Sequence, residues 1–270
     1  MIDAILNVFE NFPYSVACGC IVAISCSIIG LFVLLKRVAF ISVAMTECSA
    51  CGIALASLLG ISYITGSIIL CLASASLLAI DWEKQRIPRD AVLGTVFVGA
   101  SALSILIVAN SGIGMLEVKS LLYGDLLLAA NEDFNILLMT HIPIILLLLI
   151  NIKKIIYVFF DRDFSTIMKL PIKTVEAGFF IILALAISTA SKVCGALLVF
   201  SYLIISPSIG LLMSKKIFPV LGISAISGIM ATIFGLTISY RYDFPGNQCI
   251  VVFSCIMLLF AFLIHKKVQI

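Results

Sequence analysis

Charge is what this sequence has least of. Aspartate, glutamate, lysine and arginine make up only 11% of its 270 residues, and 63% are hydrophobic. A soluble globular chain carries about 25% charged and roughly 45–50% apolar residues. Both departures point the same way: they exclude an ordinary soluble domain and leave a polytopic membrane protein surrounded by the lipid bilayer. The net charge of +3 is too small to argue for nucleic acid. No G-x-x-x-x-G-K-[ST] run is present, so the chain binds no nucleotide through a P-loop. If it drives uphill transport, the energy comes from a partner or an ion gradient. H-E-x-x-H and G-x-S-x-G are missing too, and the only histidines, His141 and His265, lie far apart. An intramembrane hydrolase therefore lacks its usual signatures. No basic region precedes the first apolar run, so no cleavable signal is expected. Of the nine cysteines, Cys18, Cys20, Cys26, Cys71 and Cys255 fall within apolar runs, where cysteine reads as a small buried hydrophobe rather than half of a disulfide.

What is present is a series of apolar runs of spanning length, about 20 residues each. Nine are expected, at about 15–35, 39–60, 62–80, 91–109, 134–151, 174–191, 193–213, 217–239 and 248–265, with eight as the alternative. The fold class is thus an all-α membrane protein forming one transmembrane domain over residues 1–270. The stretch 110–133 is semi-polar and reads as a short interfacial or re-entrant helix. With nine spans, Lys36, Arg37, Lys84, Arg86, Arg89, Lys153, Lys154, Arg162, Lys169, Lys173, Lys215, Lys216, Lys266 and Lys267 share one side, leaving Lys119, Lys192 and Arg241 opposite. By the positive-inside rule the basic side is cytoplasmic. That places the C-terminus in the cytoplasm and the N-terminus outside.

Three places in this apolar background carry chemistry. The first is TECSACG (46–52), which puts Glu47 beside Cys48 and Cys51 inside a span. A carboxylate in hydrocarbon costs about 3 kcal/mol on insertion scales, so it ordinarily faces a cavity, a partner or a cation. Glu47 and Cys51 are i and i+4 on a helix, and Cys48 and Cys51 are i and i+3. A carboxylate oxygen with a thiolate suits Zn²⁺ or Fe²⁺ better than Ca²⁺ or Mg²⁺. The alternatives are a neutral Glu47 hydrogen-bonded to a serine or threonine, and cysteines that serve only as small packing residues. The second is His141 in the fifth span, either a metal ligand or a histidine hydrogen-bonded to a neighbouring helix. The third is the loop at about 152–173, where Asp161 can cap a short helix carrying Phe164, Ile167, Met168 and Leu170 before Pro171 stops it. That helix either docks into a partner's groove or lies on lipid headgroups.

Four segments, in order, carry a resemblance: FVLLKRVAFISVAMTECSACGIALA (32–56), IPRDAVLGTVFVGASAL (87–103), LLYGDLL (121–127), and FDRDFSTIMKLP (160–171) followed by VCGALLVFSYLIISPSIGLLM (193–213). The tail YDFPGNQCIVV fits as well. Together they resemble the permease of the metal-type ABC importers, the ABC-3 family of integral membrane subunits that take up zinc, manganese or iron. The resemblance implies an ABC importer permease fold in the inner membrane. It implies a homodimer of two permease copies, two ABC ATPase subunits docked on the cytoplasmic side, and a periplasmic or surface metal-binding protein that delivers the ion. It also makes the helix at 161–170 the coupling helix.

The sequence departs from the family where the family binds metal. The second helix there usually carries an aspartate and, four residues on, a histidine; this chain has Val43 and Glu47, with Cys51 in place of the usual proline. The expected cargo is a divalent metal, zinc before manganese or iron because of the nearby thiols. The candidate ligands are Glu47, His141, Cys51 and Cys48, and no permanently bound cofactor is expected. The rival reading is a stand-alone, ion-coupled secondary metal transporter.

Overall fold

A computed structural model describes residues 2–36, 39–78, 89–110, 124, 126–160, 162–168 and 170–268. Every regular element among them is helical. The first helix, α1 (Ile2–Asn11), precedes α2 (Pro13–Leu35), α3 (Ala39–Leu59), α4 (Tyr63–Leu78) and α5 (Arg89–Asn110). A 3₁₀ turn, Leu126–Leu128, leads into α6 (Asn131–Ile150), then the short α7 (Ile152–Phe160) and α8 (Arg162–Ile167), and finally α9 (Ile172–Cys194), α10 (Ala196–Met213), α11 (Ile217–Tyr242) and α12 (Gly246–Val268).

Each of the nine expected spans falls on one helix, from α2 to α6 and from α9 to α12. Seven are long and apolar enough to cross a membrane, while Tyr63–Ser76 and Leu93–Ile107, within α4 and α5, are shorter apolar helices. By length and composition the count of nine is therefore slightly high. Two helices were not expected: α1 at the start, and α7, which continues the polar loop in helical form. Of the semi-polar stretch 110–133, the described part holds only the 3₁₀ turn and the first residues of α6; the rest lies outside the described residues.

The core is built around α2, which packs against α6, α9, α10 and α11. Its window of highest hydropathy is 72% buried, whereas that of α6 is 22% buried, so α2 is central and α6 peripheral. An apolar surface brings no hydrophobic gain against lipid tails, so close packing of small residues has to hold such helices together. The α3–α4 crossing shows this most clearly. A Cβ on Gly52 would lie 2.5 Å from the Gly66 carbonyl oxygen, and one on Gly66 would lie 2.4 Å from the Gly52 oxygen. Backbone meets backbone there, and Ser49 and Ser67 exchange a hydrogen bond of 2.7 Å beside it. Gly52→Ala is expected to force the two helices apart and destabilise the fold by about 1–3 kcal/mol. Thermal unfolding of the detergent-purified protein checks this, and an unchanged midpoint would mean the crossing is loose.

At the basic end of the bundle, Lys36 at the close of α2 pairs with Glu176 near the start of α9 at 2.9 Å. The same ammonium sits 4.6 Å from the Phe159 ring centroid and 4.9 Å from that of Phe180, so one side chain ties α2, α7 and α9 together. At the opposite end, Asn247 in the first turn of α12 is almost fully buried. Its amide donates to the carbonyls of Gly124 at 3.0 Å and Cys194 at 2.9 Å. Its Oδ1 accepts from the Leu126 N–H at 3.3 Å. Gly124 and Gly195 both have positive φ, +58° and +75°, and a Cβ on Gly124 would sit 2.4 Å from the Gly195 nitrogen. Three of the quoted segments, LLYGDLL, VCGALL and FPGNQC, thus meet in one corner. Nearby, Lys192 pairs with Asp133, whose other oxygen accepts the Ala130 N–H at the start of α6.

Candidate functional site

Glu47 lies near the middle of α3, on a helix that packs against α4, α5, α9 and α10. Residues 43, 46, 47 and 50 fall on one face of that helix, and they form one wall of a cavity of about 300 Å³. Phe97, Ser101, Ser104 and Ile105 of α5 form the second wall, and Ala196, Leu197 and Phe200 from the start of α10 complete it. Glu47 is half-buried, and Ser101 lines the same cavity facing it from α5. The other hydroxyls are anchored to their own helices: Thr46 donates to the Val43 carbonyl at 2.8 Å and Ser104 to the Ser101 carbonyl at 2.8 Å. Their lone pairs remain available. The cavity therefore presents one carboxylate and three hydroxyl oxygens between apolar walls, a donor set suited to a hard or borderline cation rather than a soft one.

The other three candidate ligands do not join Glu47. Cys48 and Cys51 are buried in a separate small cluster with Ala100, packed by Leu55, Leu70, Val96 and Ile107, and neither lines the cavity. Spacing explains it: an i+4 residue is displaced by about 40° around a 3.6-residue helix, enough to turn Cys51 from the open face into the seam. His141 is fully buried on another flank, where α6 meets α2 and α9. Its Nδ1 lies 2.6 Å from the Ser25 hydroxyl and its Nε2 3.2 Å from the Thr189 hydroxyl. Thr189 donates its own proton to the Leu185 carbonyl at 2.9 Å. Ser25 likewise reaches its own helix, at the Val22 carbonyl (3.1 Å), so one ring nitrogen donates and the other accepts, and either tautomer satisfies both hydroxyls. Both ring nitrogens are engaged, and the histidine staples three helices. Among the described residues, no three His, Cys, Asp or Glu side chains gather in a way that could hold a metal ion.

Reading α3 alone missed the α5 wall. The signal was present in GTVFVGASALS, where Phe97, Ser101 and Ser104 recur at i, i+4 and i+7 and put two hydroxyls on one face. Recognising it required knowing that α5 packs on α3.

The loop helix is shorter than expected. α8 covers Arg162–Ile167, and the Leu170 N–H closes it on the Ser165 carbonyl at 3.0 Å. Ile167 is 77% exposed and Met168 59%, while Leu170 is half-buried. Asp161 and the side chain of Phe164 lie outside the described residues. Pro171 stands at the N-cap of α9, so it starts the next span as well as ending the loop.

The sequence model of the ABC 3 transport family matches residues 9–265, nearly the whole chain. The chain belongs to the ABC 3 transport family. Among relatives of this ABC 3 chain is the manganese transport system membrane protein MntC of Halalkalibacterium halodurans, 22% identical over 265 residues, covering 98% of this chain and 90% of the relative. Another is the chelated iron transport system membrane protein YfeD of Yersinia pestis, 23% identical over 265 residues, covering 96% and 89%. Among solved structures, PsaBC from Streptococcus pneumoniae in complex with Fab superimposes with a TM-score of 0.87 at 22% identity, covering 97% of this chain and 95% of that one. An inward-facing metal-chelate type ABC transporter superimposes with a TM-score of 0.74 at 14% identity, covering 96% and 88%. The ABC permease fold expected from the quoted segments is thus the fold observed.

Proposed function

We propose that this chain is the membrane-spanning subunit of an ABC importer for a divalent transition metal, with Mn²⁺ or Fe²⁺ as the cargo. One observation carries the reading: Glu47, near the middle of a span, opens with three hydroxyls into a cavity shared by α3, α5 and α10. The names of the relatives support manganese or iron. The expectation of zinc leaned on thiols close to Glu47, and Cys48 and Cys51 turn into a packed seam instead. Oxygen donors fit Mn²⁺ better than Zn²⁺.

One carboxylate and three hydroxyls are too few to replace a metal's hydration shell. A second copy presenting the same face across a two-fold axis would double the donors, so the working unit in this reading is a homodimer. Two ATPase subunits supply the energy from the cytoplasmic side, where α8 and the turn after it offer Ile167 and Met168. The basic end faces the cytoplasm, and a metal-binding protein delivers the ion at the other end, from outside the inner membrane. The protein, purified with its ATPase subunits and reconstituted in vesicles, is expected to accumulate radiolabelled Mn²⁺ only with ATP. Excess unlabelled Fe²⁺ should compete more strongly than Zn²⁺. Uptake by the chain alone, driven by a proton gradient without ATP, would replace this reading with a secondary transporter.

A further inference from the structure

At the basic end, on the flank formed by α6, α7 and α9, lies a groove of about 180 Å³ that the transport cavity does not touch. Its mouth is polar, with Lys154, Asn151 and Thr174, and its walls are apolar, with Leu147, Phe179 and Ile182 among them. The floor is open at Gly178, where a Cβ would meet nothing within 4 Å. No acidic side chain lines the groove, and the acid of the same helix end, Glu176, is paired with Lys36. Lys153 and Lys173 are exposed close by in the chain. On α7, Ile152, Ile155 and Val158 are buried while Lys153, Lys154 and Tyr157 are exposed. α7 thus packs its apolar face into the core and turns its lysines outward. The groove is therefore cationic at its mouth and apolar along its walls, as a charged headgroup carrying an acyl chain requires.

We propose that this groove is a binding site for an anionic phospholipid. Lys154 takes the phosphate, Thr174 and the second amide proton of Asn151 (the first is held by the Leu147 carbonyl at 3.0 Å) donate hydrogen bonds beside it, and one acyl chain lies along Leu147, Phe179 and Ile182. Basic pockets between spanning helices on this side of a membrane recognise such headgroups. The site rests only on the chain spanning a bilayer and is independent of which ion passes Glu47. Because α7 runs directly into α8, a lipid held there braces the base of the loop helix.

Native mass spectrometry of the purified protein, titrated with dioleoylphosphatidylglycerol or dioleoylphosphatidylcholine, tests the site. The wild type is expected to retain the glycerol lipid preferentially. Lys154→Gln should weaken that binding about fivefold, the worth of one lysine near a phospholipid surface. Gly178→Leu, which fills the groove from its open floor, should abolish the preference. Lys215→Gln, at the same end but outside the groove, should bind as wild type. Melting curves without added lipid verify that each variant is folded. Equal retention of the two lipids by the wild type overturns the proposal, as does wild-type binding by both groove variants. Displacement of the lipid by inorganic phosphate alone would mark a free-anion site and overturn it too.

Discussion

Glu47→Gln is expected to cut ATP-driven Mn²⁺ uptake by at least about tenfold while the protein inserts, folds and assembles as before. The substitution keeps the size of the side chain but removes the negative charge it brings to the cavity. A divalent ion that sheds water there would then meet amide and hydroxyl oxygens alone. Losing residues that merely orient a metal's ligands commonly costs 10–100-fold in affinity, and losing the charged donor itself should cost no less. Glu47→Asp retains the charge on a shorter arm and should fall between the two. Cys48→Ala and Cys51→Ala, which alter the neighbouring seam, should leave uptake within about twofold, because small residues still pack there. Uptake in reconstituted vesicles measures all four, with the melting temperature as a control for folding. Wild-type transport by Glu47→Gln would move the ion's route elsewhere in the protein.

The double substitution Ile167→Asp, Met168→Asp is expected to strip the ATPase subunits from the permease. Both side chains are largely exposed, Ile167 at the end of α8 and Met168 in the turn after it, and burying one such side chain is worth about 1.5–3 kcal/mol. Losing two contacts of that kind, and placing two carboxylates in the interface, should cost at least about 3 kcal/mol, roughly a hundredfold in Kd. Neither residue packs in the bundle, so stability of the permease should change little. The ratio of ATPase to permease after affinity purification reports the effect directly. If the double variant kept its full complement of ATPase and its uptake, α8 would be a membrane-surface helix and the docking contact would lie elsewhere.

The sequence was most legible where the bilayer constrained it most. A helix that must satisfy its own backbone groups in lipid needs a long apolar run, and each expected span coincides with one helix. Part of the basic set also gathers: Lys36 reaches Glu176, Phe159 and Phe180, and Lys154 lines a groove with Thr174, next to Lys173. The candidate site was legible only in its acid. Glu47 stood out because an acid in hydrocarbon needs a reason, whereas spacing left Cys48 and Cys51 open between ligand and packing residue, because a one-dimensional face count cannot separate an open surface from a seam 40° away. His141 shows the same limit. Its residue type suits a ligand, and only the positions of Ser25 and Thr189, 116 and 48 residues distant, reveal that both nitrogens are occupied. The Asn247 corner was visible as three separate motifs with nothing to show that they converge.

That corner bears on biogenesis. Asn247 reaches back 123 residues to Gly124 and 53 to Cys194, so the carbonyls it satisfies are made long before their donor leaves the ribosome. Until then, water or a chaperone has to cover them. α12 thus seals that corner, and a nascent chain halted short of residue 247 would hold its earlier helices in the bilayer with that seam still open, within reach of quality-control proteases.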